Sequence, residues 1–141
     1  MRSRHKVTMV VPAFNEERNL EVLVQEVCKA TTELKGWAAE VLFVDDGSVD
    51  RTIAVIDSLR QSGLPVGYVR FSRNFGHQAA LEAGLCAATG DVVITMDADL
   101  QHPPAEIPRM LEAWEQGADV VHMVRKGGKG LFPDGPHGHC S

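Results

Sequence analysis

At 141 residues the chain has the length of one ordinary domain, so a single hydrophobic core is the natural expectation and a large two-domain enzyme is excluded. Hydrophobic residues make up 44% and charged residues 23%, a globular composition that argues against a disordered chain. Lys+Arg number 14 against 19 Asp+Glu, and the resulting charge of −5 is the wrong sign for a protein that wraps nucleic acid. No stretch approaches the roughly 18–20 uninterrupted apolar residues of a membrane-spanning helix. The basic start, Met1 to Lys6, leads into too short an apolar run for a signal peptide. Three cysteines, odd in number and widely spaced, argue against a disulfide framework and for a cytoplasmic setting.

Apolar runs of strand length recur along the chain, each followed by a helical pattern. Val7 to Val11 is β-branched and nearly continuous, as in a strand covered on both faces, and Pro12 stops it. Asn15 reads as a helix N-cap with Glu16 and Glu17 in the first turn, and Leu20, Leu23, Val24 and Val27 form one apolar helix face. Val41 to Val44 is the second strand. It runs into Asp45-Asp46-Gly47-Ser48, and a helix follows from Asp50 with Ile53, Ile56 and Leu59 inward and Gly63 at its end. Val66 to Phe71 is the third strand. The turn Arg73-Asn74-Phe75-Gly76 opens an Ala-rich helix over 77–88, whose small residues Ala79, Ala80, Ala83 and Gly84 let it lie close to a sheet. Asp91 to Met96 is the fourth strand, ending at Asp97-Ala98-Asp99. Pro103-Pro104 introduces a helix with Ile107, Met110, Leu111 and Trp114 on one face, and Asp119 to Val124 is a fifth strand. Strands alternating with helices predict an α/β fold with a mostly parallel, doubly wound sheet flanked by helices in three layers.

In open parallel sheets ligands bind beyond the carboxyl ends of the strands, and the polar residues collect there. The first strand delivers Pro12 to Glu16, the second Asp45-Asp46, the third Arg73 and the fourth Asp97-Ala98-Asp99. Neighbouring carboxylates repel unless a cation neutralises them, and a hard divalent ion such as Mg²⁺ or Mn²⁺ suits oxygen ligands. Asp97 and Asp99, two apart, can address one site and leave the ion open positions for phosphate oxygens. One of Asp45 and Asp46 is expected to accept a hydrogen bond from a nucleobase or ribose, while Ser48 can cap the following helix. There is no G-x-G-x-x-G after the first strand and no P-loop around Gly128-Lys129, so a nucleotide here is not held in a glycine cradle.

Four motifs in order, Val10-Val11-Pro12-Ala13-Phe14-Asn15-Glu16, Val44-Asp45-Asp46-Gly47-Ser48-x-Asp50-x-Thr52, Arg73-Asn74-Phe75-Gly76-His77 and Met96-Asp97-Ala98-Asp99-Leu100-Gln101-His102-Pro103-Pro104, resemble the family 2 inverting glycosyltransferases. Within that family the sequence is most similar to the polyprenyl-phosphate, dolichol-phosphate mannose synthase-like branch, over about residues 6–126. The resemblance implies a GT-A (Rossmann-like) fold and transfer of a sugar from a UDP- or GDP-sugar to a lipid phosphate at the membrane surface, with inversion. It implies a nucleotide-sugar site of Pro12, Ala13, Phe14, Glu16, Asp45, Asp46, Arg73, Asp97 and Ala98, without choosing between Asp45 and Asp46 as the acid that reads the nucleotide. It implies metal ligands Asp97, Asp99 and Gln101, and a basic Arg125 close to the diphosphate, so that Asp97, Asp99 and Arg125 carry the chemistry. His77 stands where a basic residue is frequent in the family.

The resemblance stops near Lys126. The expected organisation is therefore a nucleotide-sugar-binding domain over 1–126 and a disordered Gly/Pro/His-rich tail over 127–141. A chain cut short at its C-terminus is one implication, and a donor-binding fragment without the acceptor half is the alternative to a complete enzyme. The expected location is cytoplasmic, peripheral at the inner face of the membrane. His137, His139 and Cys140 offer too few fixed ligands for zinc, and Cys28 and Cys86 read as small buried thiols.

Overall fold

The structure, a computed structural model, describes residues 5–32, 34–98 and 104–116. Its elements run β1 (His5–Ala13), α1 (Leu20–Thr32), β2 (Trp37–Asp45), α2 (Thr52–Gln61), β3 (Val66–Arg70), α3 (His77–Ala87), β4 (Val92–Thr95), a 3₁₀ turn (Pro104–Glu106) and α4 (Ile107–Glu115). The four described strands form one parallel sheet in the order β3-β2-β1-β4. The fifth strand expected over 119–124 and the tail over 127–141 lie outside the described residues.

Alternation along the strands sorts their side chains into two cores. Val7, Met9, Val11 and Ala13 of β1, with Val41 and Phe43 of β2, face one layer, where Leu20, Leu23, Val24, Ile56, Ile107 and Leu111 of α1, α2 and α4 join them. Val10, Leu42 and Val44 face the other layer against Ala80 of α3. Burial on both faces is why these strands read as continuous apolar runs rather than alternating ones. The second layer is thin because α3 lies almost on the sheet. A Cβ placed at Gly84 would come 2.3 Å from Val10 Cγ1 and 3.0 Å from Val44 Cγ2, so only glycine permits that approach.

Three expectations are corrected. The first helix begins at Leu20, three residues beyond the acid pair, and Asn15 is not its cap but a residue with φ of 54° in the connecting loop. β2 begins at Trp37 rather than Val41: Trp37 to Glu40 lack β-branched residues, but their register against His5 to Thr8 of β1 supplies the ladder. Cys86 is exposed on α3 and disulfide-bonded rather than a small buried thiol, whereas Cys28 is half-buried and its burial pushes the thiol pKa up.

Candidate active site

The chain order reverses between β1 and β4: β2 and β3 lie on one side of β1 and β4 on the other. That is the place where adjacent connections leave the sheet in opposite directions and open a crevice at the carboxyl ends. A cleft of about 360 Å³ sits there, lined by Pro12, Ala13, Phe14, Glu16, Asp46, His77, Asp97 and Ala98.

Its walls are loops tied to one another by polar side chains. Asn15, in the left-handed region that asparagine tolerates, donates its N–H to Ser48 Oγ at 2.8 Å and accepts from the Val49 N–H on Oδ1 at 2.9 Å. The Glu16 N–H donates to Thr52 Oγ1 at 3.0 Å and the Glu17 N–H to Asp50 Oδ2 at 3.4 Å. Asp50 Oδ1 accepts from the N–H and the hydroxyl of Thr52. Burial alone would raise the Asp50 pKa, but the hydrogen bonds from Thr52 and Glu17 outweigh it and hold the carboxyl below its ordinary value. Ser48, read from sequence as a cap for α2, is instead the bridge to Asn15. The motif after β1 and the motif after β2 are thus one interlocked structure, joined over more than thirty residues of chain.

The two adjacent acids have different surroundings. Asp46, at the cleft, accepts the Phe75 N–H on Oδ1 at 2.7 Å and the Gly76 N–H on Oδ2 at 3.1 Å. Asp45 is fully buried and does not line the cleft. Its Oδ1 accepts the Ser48 N–H at 3.1 Å, while Oδ2 has no hydrogen-bond partner and lies 3.9 Å from Arg70 Nε. Arg73 is exposed on the β3–α3 loop, outside the cleft lining, with its guanidinium 4.4 Å from the centre of the Phe75 ring. The structure therefore gathers Pro12, Ala13, Phe14, Glu16, Asp46, Asp97 and Ala98 around one cleft, sets Asp45 and Arg73 beside it, and adds His77, which the sequence offered as standing where the family often has a basic residue. Asp99, Gln101 and Arg125 lie outside the described residues.

Glu16, Asp46 and Asp97 make the cleft rich in carboxylate, so an anionic ligand needs a cation beside it. Among the described residues no three carboxylate, imidazole or thiol groups converge to hold a metal. The donor Asp97 contributes is carboxylate oxygen, which fits a hard divalent ion completed by further oxygen ligands.

The glycosyl transferase family 2 model matches residues 8–139. This chain belongs to that family. Curated relatives are polyprenyl-phosphate sugar transferases. The undecaprenyl-phosphate 4-deoxy-4-formamido-L-arabinose transferase of Enterobacter sp. (strain 638) is 42% identical over 123 residues, covering 86% of this chain and 37% of the relative. The prophage bactoprenol glucosyl transferase homolog of Escherichia coli (strain K12) is 44% identical over 120 residues, covering 85% of this chain and 39% of the relative. The chain thus spans less than two fifths of these relatives' length. Among solved structures, the mannosyltransferase PcManGT from Pyrobaculum calidifontis, in complex with GDP-Man and Mn²⁺, superposes with a TM-score of 0.59 at 29% identity, over 70% of this chain and 28% of that one. S. aureus TarS 1–349 in complex with UDP gives 0.56 at 28% identity, over 67% of this chain and 27% of that one. The four-stranded parallel sheet and its helices are the core of a GT-A fold, as the motifs implied.

Proposed function

We propose that the family 2 chain binds a UDP- or GDP-sugar and serves a metal-dependent, inverting transfer of that sugar to a polyprenyl-phosphate lipid at the cytoplasmic face of the membrane. The observation that carries this reading is the cleft at the β1/β4 reversal, which is lined by Pro12, Ala13, Phe14, Glu16, Asp46, His77, Asp97 and Ala98 from segments separated in sequence. The relatives supply the acceptor class, since they are named for undecaprenyl phosphate and bactoprenol. No helix among the described residues is long and apolar enough to cross a membrane, and the proposed contact with the lipid surface is peripheral.

The residues suit that chemistry. Pro12, Ala13, Phe14 and Ala98 form the less polar wall, and Asp46, which lines the same cleft, brings carboxylate oxygen to it as an acceptor for nucleoside N–H and O–H groups, with the buried Asp45 behind it. Asp97, with Asp99 and Gln101, would hold Mg²⁺ or Mn²⁺, and a bound ion offsets charge on the diphosphate as it departs. Arg125, implied by the family motif, would add positive charge for the departing diphosphate, and the exposed Arg73 stands beside the cleft. A lipid phosphate is already anionic at neutral pH, so its oxygen attacks the anomeric carbon without a protein base. The bond from that carbon to the diphosphate breaks, its electron pair leaves with the nucleoside diphosphate, and configuration inverts.

The test is a thermal-shift panel of UDP-, GDP- and TDP-sugars with and without Mn²⁺. A ligand at about a hundred times its Kd stabilises by roughly 2.7 kcal/mol, several degrees for a domain of this size. A shift that requires both nucleotide and Mn²⁺, and that Asp97→Ala abolishes, is the expected result. No shift with any pair would sink the reading. A second reading, donor binding without transfer by this stretch alone, draws on its coverage of 37% and 39% of the relatives. Formation of glycosyl-lipid in polyprenyl-phosphate vesicles separates the two.

A further inference from the structure

We infer that Asn15 is a positioning residue for nucleotide binding: its left-handed main chain and its side-chain oxygen fasten the loop after β1 to the loop after β2, and so set Phe14 and Glu16 at the cleft. The inference rests on the reading of the cleft as the nucleotide site, and it adds to that site a residue that does not line it.

Asn15 stands between two residues that line the cleft and is absent from the lining itself. Its φ of 54° makes it the one residue other than glycine with a positive φ among the described residues. Asparagine and aspartate enter this region more readily than other side chains, because a short polar group can bond locally there. The side chain is turned to the neighbouring loop, where Oδ1 accepts the Val49 N–H at 2.9 Å and, more weakly, the Asp50 N–H at 3.4 Å. The main-chain N–H of Asn15 donates to Ser48 Oγ at 2.8 Å. Ser48 is held in turn through its own N–H, which donates to Asp45 Oδ1 at 3.1 Å, and Asp45 is fully buried at the end of β2. The tie therefore runs from a buried strand end through Ser48 to Asn15.

Burial does not fix the two side chains that flank Asn15. Phe14 is 44% exposed and Glu16 only partly buried, so their direction follows from the main chain on either side. Before Phe14, Ala13 is buried and paired with Asp45 in the last rung of the β1–β2 ladder. At Glu16 the N–H donates to Thr52 Oγ1 at 3.0 Å, and Oε1 accepts from Asn19 Nδ2 at 2.8 Å. Asn15 joins these two fixed points, and its positive φ sets the angle between them. Without Oδ1 the Val49 N–H loses its acceptor and the loop after β1 is free to turn about Ala13. Phe14 and Glu16 then spread over more orientations, and a ligand has to remove that freedom when it binds.

Two substitutions separate the side chain from the main chain. Asn15→Gly keeps the left-handed φ and deletes Oδ1, whereas Asn15→Asp keeps both an accepting oxygen and a tolerated φ. Hydrogen exchange at the Val49 amide is expected to accelerate about tenfold or more in Asn15→Gly, while strand amides such as Val10 and Val44 keep their rates. Unchanged exchange at Val49 overturns the tie. Titration with UDP and GDP in the presence of Mn²⁺ tests the positioning. Asn15→Gly is expected to weaken the nucleotide that binds by about tenfold, and Asn15→Asp to restore it to within about threefold of the unaltered chain. Trp114→Ala, at the opposite end of the sheet, is the control for a merely structural loss and keeps affinity within about twofold. Unchanged affinity in Asn15→Gly, or equal losses in the Gly and Asp variants, overturns the inference. So does an Asn15→Gly loss of the same size when Phe14 and Glu16 are already alanine, because Asn15 would then act without them. If neither nucleotide binds the unaltered chain, the reading of the cleft fails and the positioning role falls with it. The Val49 exchange rate still reports the tie, so the two failures are told apart.

Discussion

At the amino end of the sheet three rings meet, His5 with Trp37 and Trp114 at 5.0 and 5.1 Å and the two indoles at 5.6 Å, with Trp37 Nε1–H donating to Glu115 at 3.2 Å. At the carboxyl end the connections between loops are short hydrogen bonds from side chain to main chain: Asn15 with Ser48 and Val49, Glu16 with Thr52, and Asp46 with Phe75 and Gly76. Ring packing is tolerant in direction and seals the end it covers. Hydrogen bonds fix direction and distance without filling the space between. A sheet end that must be closed can use the first, and one that must hold loops apart around a polar cleft needs the second. The cleft is at the second.

The largest effect expected from breaking this arrangement is at Gly47. Gly47→Ala forces a left-handed residue with a Cβ into the Arg73–Asn74 backbone, and a loss of about 3 kcal/mol is expected in urea denaturation. A loss under about 1 kcal/mol would show that the loops can part freely. Next, Trp114→Ala opens the half-buried ring cluster and should cost about 2 kcal/mol while leaving nucleotide affinity within twofold. An affinity that falls with it would mean the two ends are not separable. Ser48→Ala removes the acceptor of the Asn15 N–H and should cost about 1 kcal/mol, together with a loss of nucleotide affinity that Trp114→Ala does not produce. Titration calorimetry on both variants decides between them.

The smallest effect is one of pH. The Asp50 carboxyl is held below its ordinary value in the folded chain, so its contribution is fully present above the unfolded carboxyl pKa, near ~3.9, and is lost as pH falls through the lower folded value. Denaturation midpoints compared between Asp50→Asn and the unaltered chain should therefore converge at acid pH and separate toward neutrality. A difference that stays constant from acid to neutral pH would assign the effect to packing instead of charge.

Much of this architecture was legible in the residues. Continuous β-branched runs marked the buried strands, and the small residues of α3 announced a close-packed helix that Gly84 then required. The acids and Pro12 to Phe14 were placed at the strand ends by topology alone, and the cleft lies there. What stayed hidden was relational. Successive residues leave a strand on opposite sides, so Asp45-Asp46 had to divide its two carboxylates between two environments, and the letters do not say which goes where. Asn15 beside two glutamates has the local signature of a helix cap. Its actual partners, Ser48 and Val49, are more than thirty residues away, beyond any local pattern. Arg73, implied as a nucleotide neighbour, stands outside the cleft lining against Phe75, because its turn is anchored by Asp46.

The Asn15–Ser48 and Glu16–Thr52 ties have a consequence for how a ligand is received. These bonds exist within the chain itself, so the loops after β1 and β2 already hold a defined shape before anything arrives. Little conformational freedom is left there to be lost on complex formation, and contacts with a ligand translate more fully into affinity.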